Sequence, residues 1–129
     1  MILVDTSAWI QVFRKGSPLD LPSIVDVEEI VTCLPVIQEV LQGFDDQRAF
    51  AVAKEAIQAF PIVESPMTFA VYEQAVDLYR AARRAGITIR SGVDCLIAAC
   101  AVRNHLEVLH CDRDFDELAR IAPLRTRRV

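Results

Sequence analysis

Asp5 closes a short apolar run, Ile2-Leu3-Val4, and Asp112 closes another, Val108-Leu109-His110-Cys111. Glu39 follows Pro35 by one helical turn, and Asp94 directly precedes a stretch that is apolar almost all round, Cys95 to Val102. Acids are costly beside segments that must be buried, because a desolvated carboxylate needs a partner or a proton. Each has a structural use on its own. Asp5, Thr6 or Ser7 can cap a helix, Ser91-Gly92-Val93-Asp94 has capping-box spacing, and so do Asp114 and Glu117, while Glu39 can be a solvated helix residue. Together they point to different chemistry. Carboxylates from four separate elements repel one another when brought close, and a hard divalent cation reverses that penalty. Such an ion binds a phosphate oxygen and lowers the pKa of a bound water. Mg²⁺ and Mn²⁺ accept the same oxygen set.

Covalent chemistry is the competitor. Cys95 and Cys111 each neighbour one of these acids, with His110 nearby. A thiol among carboxylates is held protonated and is a poor nucleophile, so hydrolysis by a metal-activated water fits better. The four cysteines, at 33, 95, 100 and 111, form no C-x-x-C pair, and His105 and His110 complete no zinc-like spacing. They read as reduced thiols, three or four of them buried.

The positioning elements follow from periodicity. Ile2–Val4, Ile30–Leu34, Pro61–Glu64 and Val108–Cys111 read as short strands, with Leu124–Arg127 as an edge strand. Helices are expected after Asp5, over about 19–27, from Pro35 to Gly43, from Asp45-Asp46 to Phe60, from Met67 to Ala85, from Ser91 to His105 and from Asp112 to Ile121. The alternation implies parallel β-α-β units, an α/β fold with helices on both faces of a small sheet. Ligands in such sheets gather beyond the carboxyl ends of the strands, where Asp5 and Asp112 lie. Asp114 and Asp116 follow close behind.

At 129 residues, 53% of them hydrophobic and 25% charged, the chain fits one domain over 1–129 and is not compositionally disordered. No apolar run reaches the ~18 residues of a membrane span. Met1-Ile2-Leu3-Val4-Asp5 lacks a basic leader, so the expectation is a cytoplasmic protein without a membrane partner. The net charge of −4 is unevenly spread, with ten acids and four bases in residues 1–65 but eight acids and ten bases, all Arg, in 66–129. An Arg-only basic half can hold a polyanion, although it is also what a solvated face looks like.

The segments Val4-Asp5-Thr6-Ser7-Ala8, Glu39 after a Pro-led turn, Arg90-Ser91-x-x-Asp94-Cys95-Leu96-Ile97-Ala98-Ala99 and Leu109-x-x-Asp112-x-Asp114-Phe115 resemble, in this order, a PIN domain. The resemblance is to the VapC-type toxins of bacterial toxin–antitoxin pairs and covers essentially the whole chain. It implies a three-layer α/β/α sandwich and a Mg²⁺- or Mn²⁺-dependent endoribonuclease acting on tRNA or rRNA. It also implies a homodimer and inhibition by a cognate VapB-type antitoxin. Carried over by position, Asp5, Glu39, Asp94 and Asp112 match the catalytic acids, with Asp5, Asp94 and Asp112 as metal ligands. Thr6 or Ser7 matches the hydroxyl beside the first acid, and Asp114 is an auxiliary acid. Arg90 and Arg113 are the expected RNA-backbone contacts, unless they pair with a neighbouring carboxylate. His110 stands where many relatives have Thr, which leaves it open to reach phosphate or to pack within the strand, packing being the favoured reading.

Two other readings stay open on sequence. A non-catalytic interaction protein would use the acids to bind a basic partner segment, with Trp9, Phe13 and Phe44 lining a groove. A signalling receiver domain would need paired acids after the first strand and a late Lys, whereas Lys15 and Lys54 are both early.

Overall fold

The computed structural model describes residues 1–129. Five strands, β1 (Ile2–Val4), β2 (Ile30–Cys33), β3 (Ile62–Val63), β4 (Glu107–His110) and β5 (Arg125–Arg128), form one sheet in the order β3-β2-β1-β4-β5. Every pairing is parallel, with Ile2 opposite both Ile30 and Glu107, so β1 is the central strand. The helices are α1 (Thr6–Phe13), α2 (Leu34–Gln42), α3 (Gln47–Gln58), α4 (Phe69–Arg84), α5 (Gly92–Arg103) and α6 (Arg113–Ala119). This is the expected three-layer α/β/α sandwich. No helix is long and apolar enough to cross a membrane.

The strand order reverses at β1, whose neighbours are β2 on one side and β4 on the other. Crossovers on the two sides of that point leave a crevice beyond the carboxyl ends of β1 and β4. Asp5 and Asp112 are the N-caps of α1 and α6, the helices that leave from that edge.

α5 is the central helix. Asp94, Cys95 and the run Ile97-Ala98-Ala99-Cys100-Ala101 are all buried. Its small residues allow close approach by α4, the helix it packs against most extensively. α4 stops at a Schellman turn, in which Gly86, at φ +75°, donates to Arg83 O and Ile87 donates to Ala82 O. The chain then runs through Arg90 into α5. The edge strand β5 carries three arginines, a charge pattern that discourages further strand pairing.

Several local expectations need correction. Residues 19–27 are not one helix but separate 3₁₀ turns, Leu21–Ser23 and Val27–Glu29, around Pro22 and an Asp26 side chain that caps the second turn at Glu28 N–H. Pro22 is tolerated in the first turn, where its missing N–H costs nothing, and the break comes at Asp26, whose extended backbone (φ −71°, ψ 123°) caps the second turn. Leu34 begins α2 rather than ending β2. The two capping boxes do not form. Ser91 makes no side-chain cap bond to α5, and α6 is capped by Asp112, which accepts from Asp114 N–H, so Asp114 is inside the helix.

Candidate functional site

Asp5 directly follows β1 and is 2% exposed. Its Oδ2 accepts the Ser7 N–H at 2.9 Å and the Ser7 hydroxyl at 2.5 Å, while the buried Oδ1 has no hydrogen-bond partner. Burial pushes the carboxyl up to about 6, against the downward pull of hydrogen bonds from Ser7 and Thr6; the Glu39 charge adds to the rise.

Beyond the neighbouring strand β4, at the start of α6, Asp112 Oδ1 accepts Asp114 N–H at 2.9 Å and Arg90 Nη2 at 2.8 Å. Asp114 is 1% exposed, and its Oδ2 accepts the backbone N–H groups of Arg90 at 3.0 Å and Ser91 at 3.3 Å. These bonds fasten the α4–α5 turn to the start of α6.

Asp94 projects from the first turn of α5 and is 6% exposed, with a buried Oδ2 that has no partner. Ligand atoms of Asp94, Asp112 and Asp114 all lie within 4.8 Å of one another. Burial pushes the Asp94 carboxyl up to about 9, helped by a hydrogen bond with Asp114 and by the charges of Asp5, Asp112 and Asp114. Without a cation, this environment therefore disfavours the charged form of Asp94.

The structure thus gathers Asp94, Asp112 and Asp114 tightly and sets Asp5 beside them. Glu39 lies outside the triad on α2, half-buried, with its Oε1 accepting the Thr6 hydroxyl at 2.8 Å. The sequence reading gave Asp114 only an auxiliary place; its two-residue spacing from the capping Asp112 was the available signal. Arg90 pairs with Asp112 and Asp114, the alternative raised for it, while Arg113 is exposed and makes no ion pair.

His110 is fully buried, as expected of a packed residue. Its ring lies against Phe115 at 5.4 Å, and its Nδ1 accepts the Asp112 N–H at 3.1 Å, so the ring also steadies the backbone of a site acid. Burial lowers its pKa, against the opposing pull of the Asp116 charge. Cys95, buried next to Asp94, is pushed up to about 11 by burial and by the Asp94 and Asp114 charges, which leaves it no nucleophilic thiolate.

The PIN domain family profile matches residues 2–121, a span that includes every acid of this cluster. The chain belongs to the PIN domain family. The order of the family motifs, read from sequence, and the parallel sheet agree, and membership sets the receiver-domain alternative aside. This PIN domain is 37% identical to Ribonuclease VapC11 of Mycobacterium tuberculosis, over 97% of the chain and 96% of that protein. The VapC ribonuclease Mb1587 of Mycobacterium bovis matches to the same extent. In fold the domain is similar to VapBC-5 of M. tuberculosis (TM-score 0.72, 21% identity, 98% of this chain and 97% of that one). It is likewise similar to VapC20 of the same organism, described as a sarcin-ricin loop cleaving toxin (TM-score 0.71, 22% identity, 97% and 99% covered).

Proposed function

We propose that this PIN domain is a Mg²⁺- or Mn²⁺-dependent endoribonuclease of the VapC type, the toxin half of a VapBC-type toxin–antitoxin pair. One observation carries the metal dependence. Asp94 Oδ2, in a triad of carboxylates with ligand atoms within 4.8 Å, and Asp5 Oδ1, on a carboxylate close enough for its charge to act on Asp94, are buried oxygens without a donor. Buried polar atoms are normally satisfied, and an all-oxygen carboxylate set suits a hard divalent ion. The donor set fits the cation.

Asp5, Asp94 and Asp112 would hold the ion, with Asp114 beside them. When bound, a divalent ion supplies Lewis acidity to a phosphodiester and raises the acidity of water. Thr6 fixes Glu39 through Oε1, which leaves Oε2 to accept a proton from, or orient, the attacking water. Ser7 fixes Asp5. Arg90, which pairs with two of the acids, and Arg113, exposed next to Asp112 in the chain, would contact the RNA backbone. Hydrolysis leaves a 5′-phosphate and a 3′-hydroxyl. The name of the 37%-identical relative supports ribonuclease activity, and the description of VapC20 supports structured RNA, tRNA or rRNA, as the substrate.

Two apolar surfaces support the protein partners. A groove of about 360 Å³ lined by Ile10, Phe13, Val40 and Phe44 reaches Glu39, which suits an antitoxin segment ending at the acids. Trp9, grouped with these aromatics on sequence, is 4% exposed and belongs to the core instead. A second groove of about 500 Å³ lies between α4 and α5, lined by Tyr72, Val76, Tyr79, Val93 and Leu96, with the 78%-exposed Phe69 on the same helix as the first three. That face suits a homodimer. One buried cluster running from Leu3 to Leu124 supports a single domain over 1–129, and four free thiols are consistent with the cytoplasm.

Sequencing RNA ends after brief expression of wild type beside Asp94→Asn tests the proposal. New discrete ends with wild type alone support it; identical end profiles overturn it.

A further inference from the structure

Asp112 and Asp114 already have a cation, and the chain itself supplies it. Arg90 Nη2 is 2.8 Å from Asp112 Oδ1, and Nε is 3.4 Å from Asp114 Oδ1. Both carboxylates belong to the triad whose ligand atoms lie within 4.8 Å of one another. The Arg90 side chain is 57% exposed, whereas its backbone N–H donates to the buried Asp114 Oδ2. The turn is therefore held by its backbone, and the guanidinium is free to leave without unfastening it. The shorter contact, to Asp112, lies on the exposed side of the site, where an ion pair is weak, while the longer one reaches the buried Asp114. A divalent ion drawing on the same oxygens competes directly with the guanidinium.

We propose that Arg90 is an exchangeable counter-ion. It neutralises Asp112 and Asp114 while the site lacks metal, and metal entry releases it to a phosphate of the RNA backbone. The inference rests on the metal-dependent reading of the site given above. Because the fork of a guanidinium fits carboxylate and phosphate alike, the same side chain serves both states. Metal and RNA then bind with positive coupling, since the ion frees the group that takes the phosphate, and the coupling is reciprocal.

The test is Mn²⁺ binding to the full chain, read from the paramagnetic resonance signal of free Mn²⁺, for wild type, Arg90→Gln and Arg90→Lys, with circular dichroism as the folding control. Arg90→Gln is expected to bind Mn²⁺ about tenfold more tightly, with Arg90→Lys in between. A gain in affinity is something a merely damaged fold does not produce. In parallel, binding of a phosphorothioate RNA oligonucleotide is compared with and without Mn²⁺. The strengthening that Mn²⁺ gives wild type shrinks in Arg90→Gln by about the same factor. If wild type binds Mn²⁺ but Arg90→Gln binds it equally or more weakly, the counter-ion role is overturned and the metal site stands. If wild type binds no Mn²⁺, the metal-dependent reading falls and this inference falls with it.

Discussion

The Ser7 hydroxyl donates to Asp5 Oδ2 at 2.5 Å and accepts the Cys111 N–H at 2.8 Å, so it ties the end of β1 to the loop that delivers Asp112. Removing it strips one hydrogen bond from Asp5 and leaves the Cys111 N–H without an acceptor. Ser7→Ala is expected to lower stability in urea unfolding by about 1–3 kcal/mol. Ser7→Thr, which keeps the hydroxyl, is expected to retain most of that stability; equal losses in both variants would show that packing, not the bridge, is what matters.

Asp94 gives the ion-free protein an unusual pH dependence. Its carboxyl sits at about 9 in the fold against an ordinary value of 3.8, so between these values the folded chain holds a proton that the unfolded chain releases. Stability from this group is therefore greatest below about 4 and declines as pH rises towards 9. Asp5, raised to about 6, contributes the same sign over a narrower window. In thermal unfolding with a chelator, the wild-type Tm is expected to fall between pH 6 and 9 by more than that of Asp94→Asn. Parallel curves for the two proteins would contradict the burial of this charge among its neighbours.

Thr6 and Glu39 form a half-buried pair outside the carboxylate triad. Thr6→Val releases Glu39 without altering the triad, so it is expected to slow RNA cleavage about tenfold while leaving Mn²⁺ affinity unchanged. Glu39→Gln is expected to slow it by at least as much. Weakened metal binding in Thr6→Val would place Glu39 among the ligands instead.

Arg113 makes no ion pair and is exposed beside Asp112, so its replacement has little to disturb in the fold. Arg113→Glu is expected to raise the KM for RNA and to reduce the salt dependence of RNA binding by about one ion equivalent. An unchanged salt slope would remove Arg113 from the RNA path.

The sequence made the sheet edge legible because Ile2–Val4 and Val108–Cys111 are short apolar runs each closed by an acid, and periodicity reads such runs directly. Asp94 was legible for a similar reason, as the one acid at the head of a helix with no polar face. Asp114 was harder to place. Its membership of the triad depends on backbone N–H groups from Arg90 and Ser91, more than 20 residues away, which local spacing does not encode. Arg90 is the same case seen from the other side, since whether a guanidinium meets a carboxylate or faces solvent is decided by the turn that follows α4. Residues 19–27 misled because Leu21 and Val25 are both buried at a helix-like spacing of four, although Leu21 lies in the first 3₁₀ turn and Val25 between the two.

The central claim is that the converging carboxylates form a cation site. Anomalous diffraction from crystals of the protein soaked in Mn²⁺ tests it most directly. The account expects one strong peak bounded by Asp94 and Asp112, at about 2.0–2.2 Å from their oxygens, with the Arg90 guanidinium moved off Asp112. A crystal with Mn²⁺ bound elsewhere or not at all, and Arg90 still seated on Asp112 and Asp114, would contradict it.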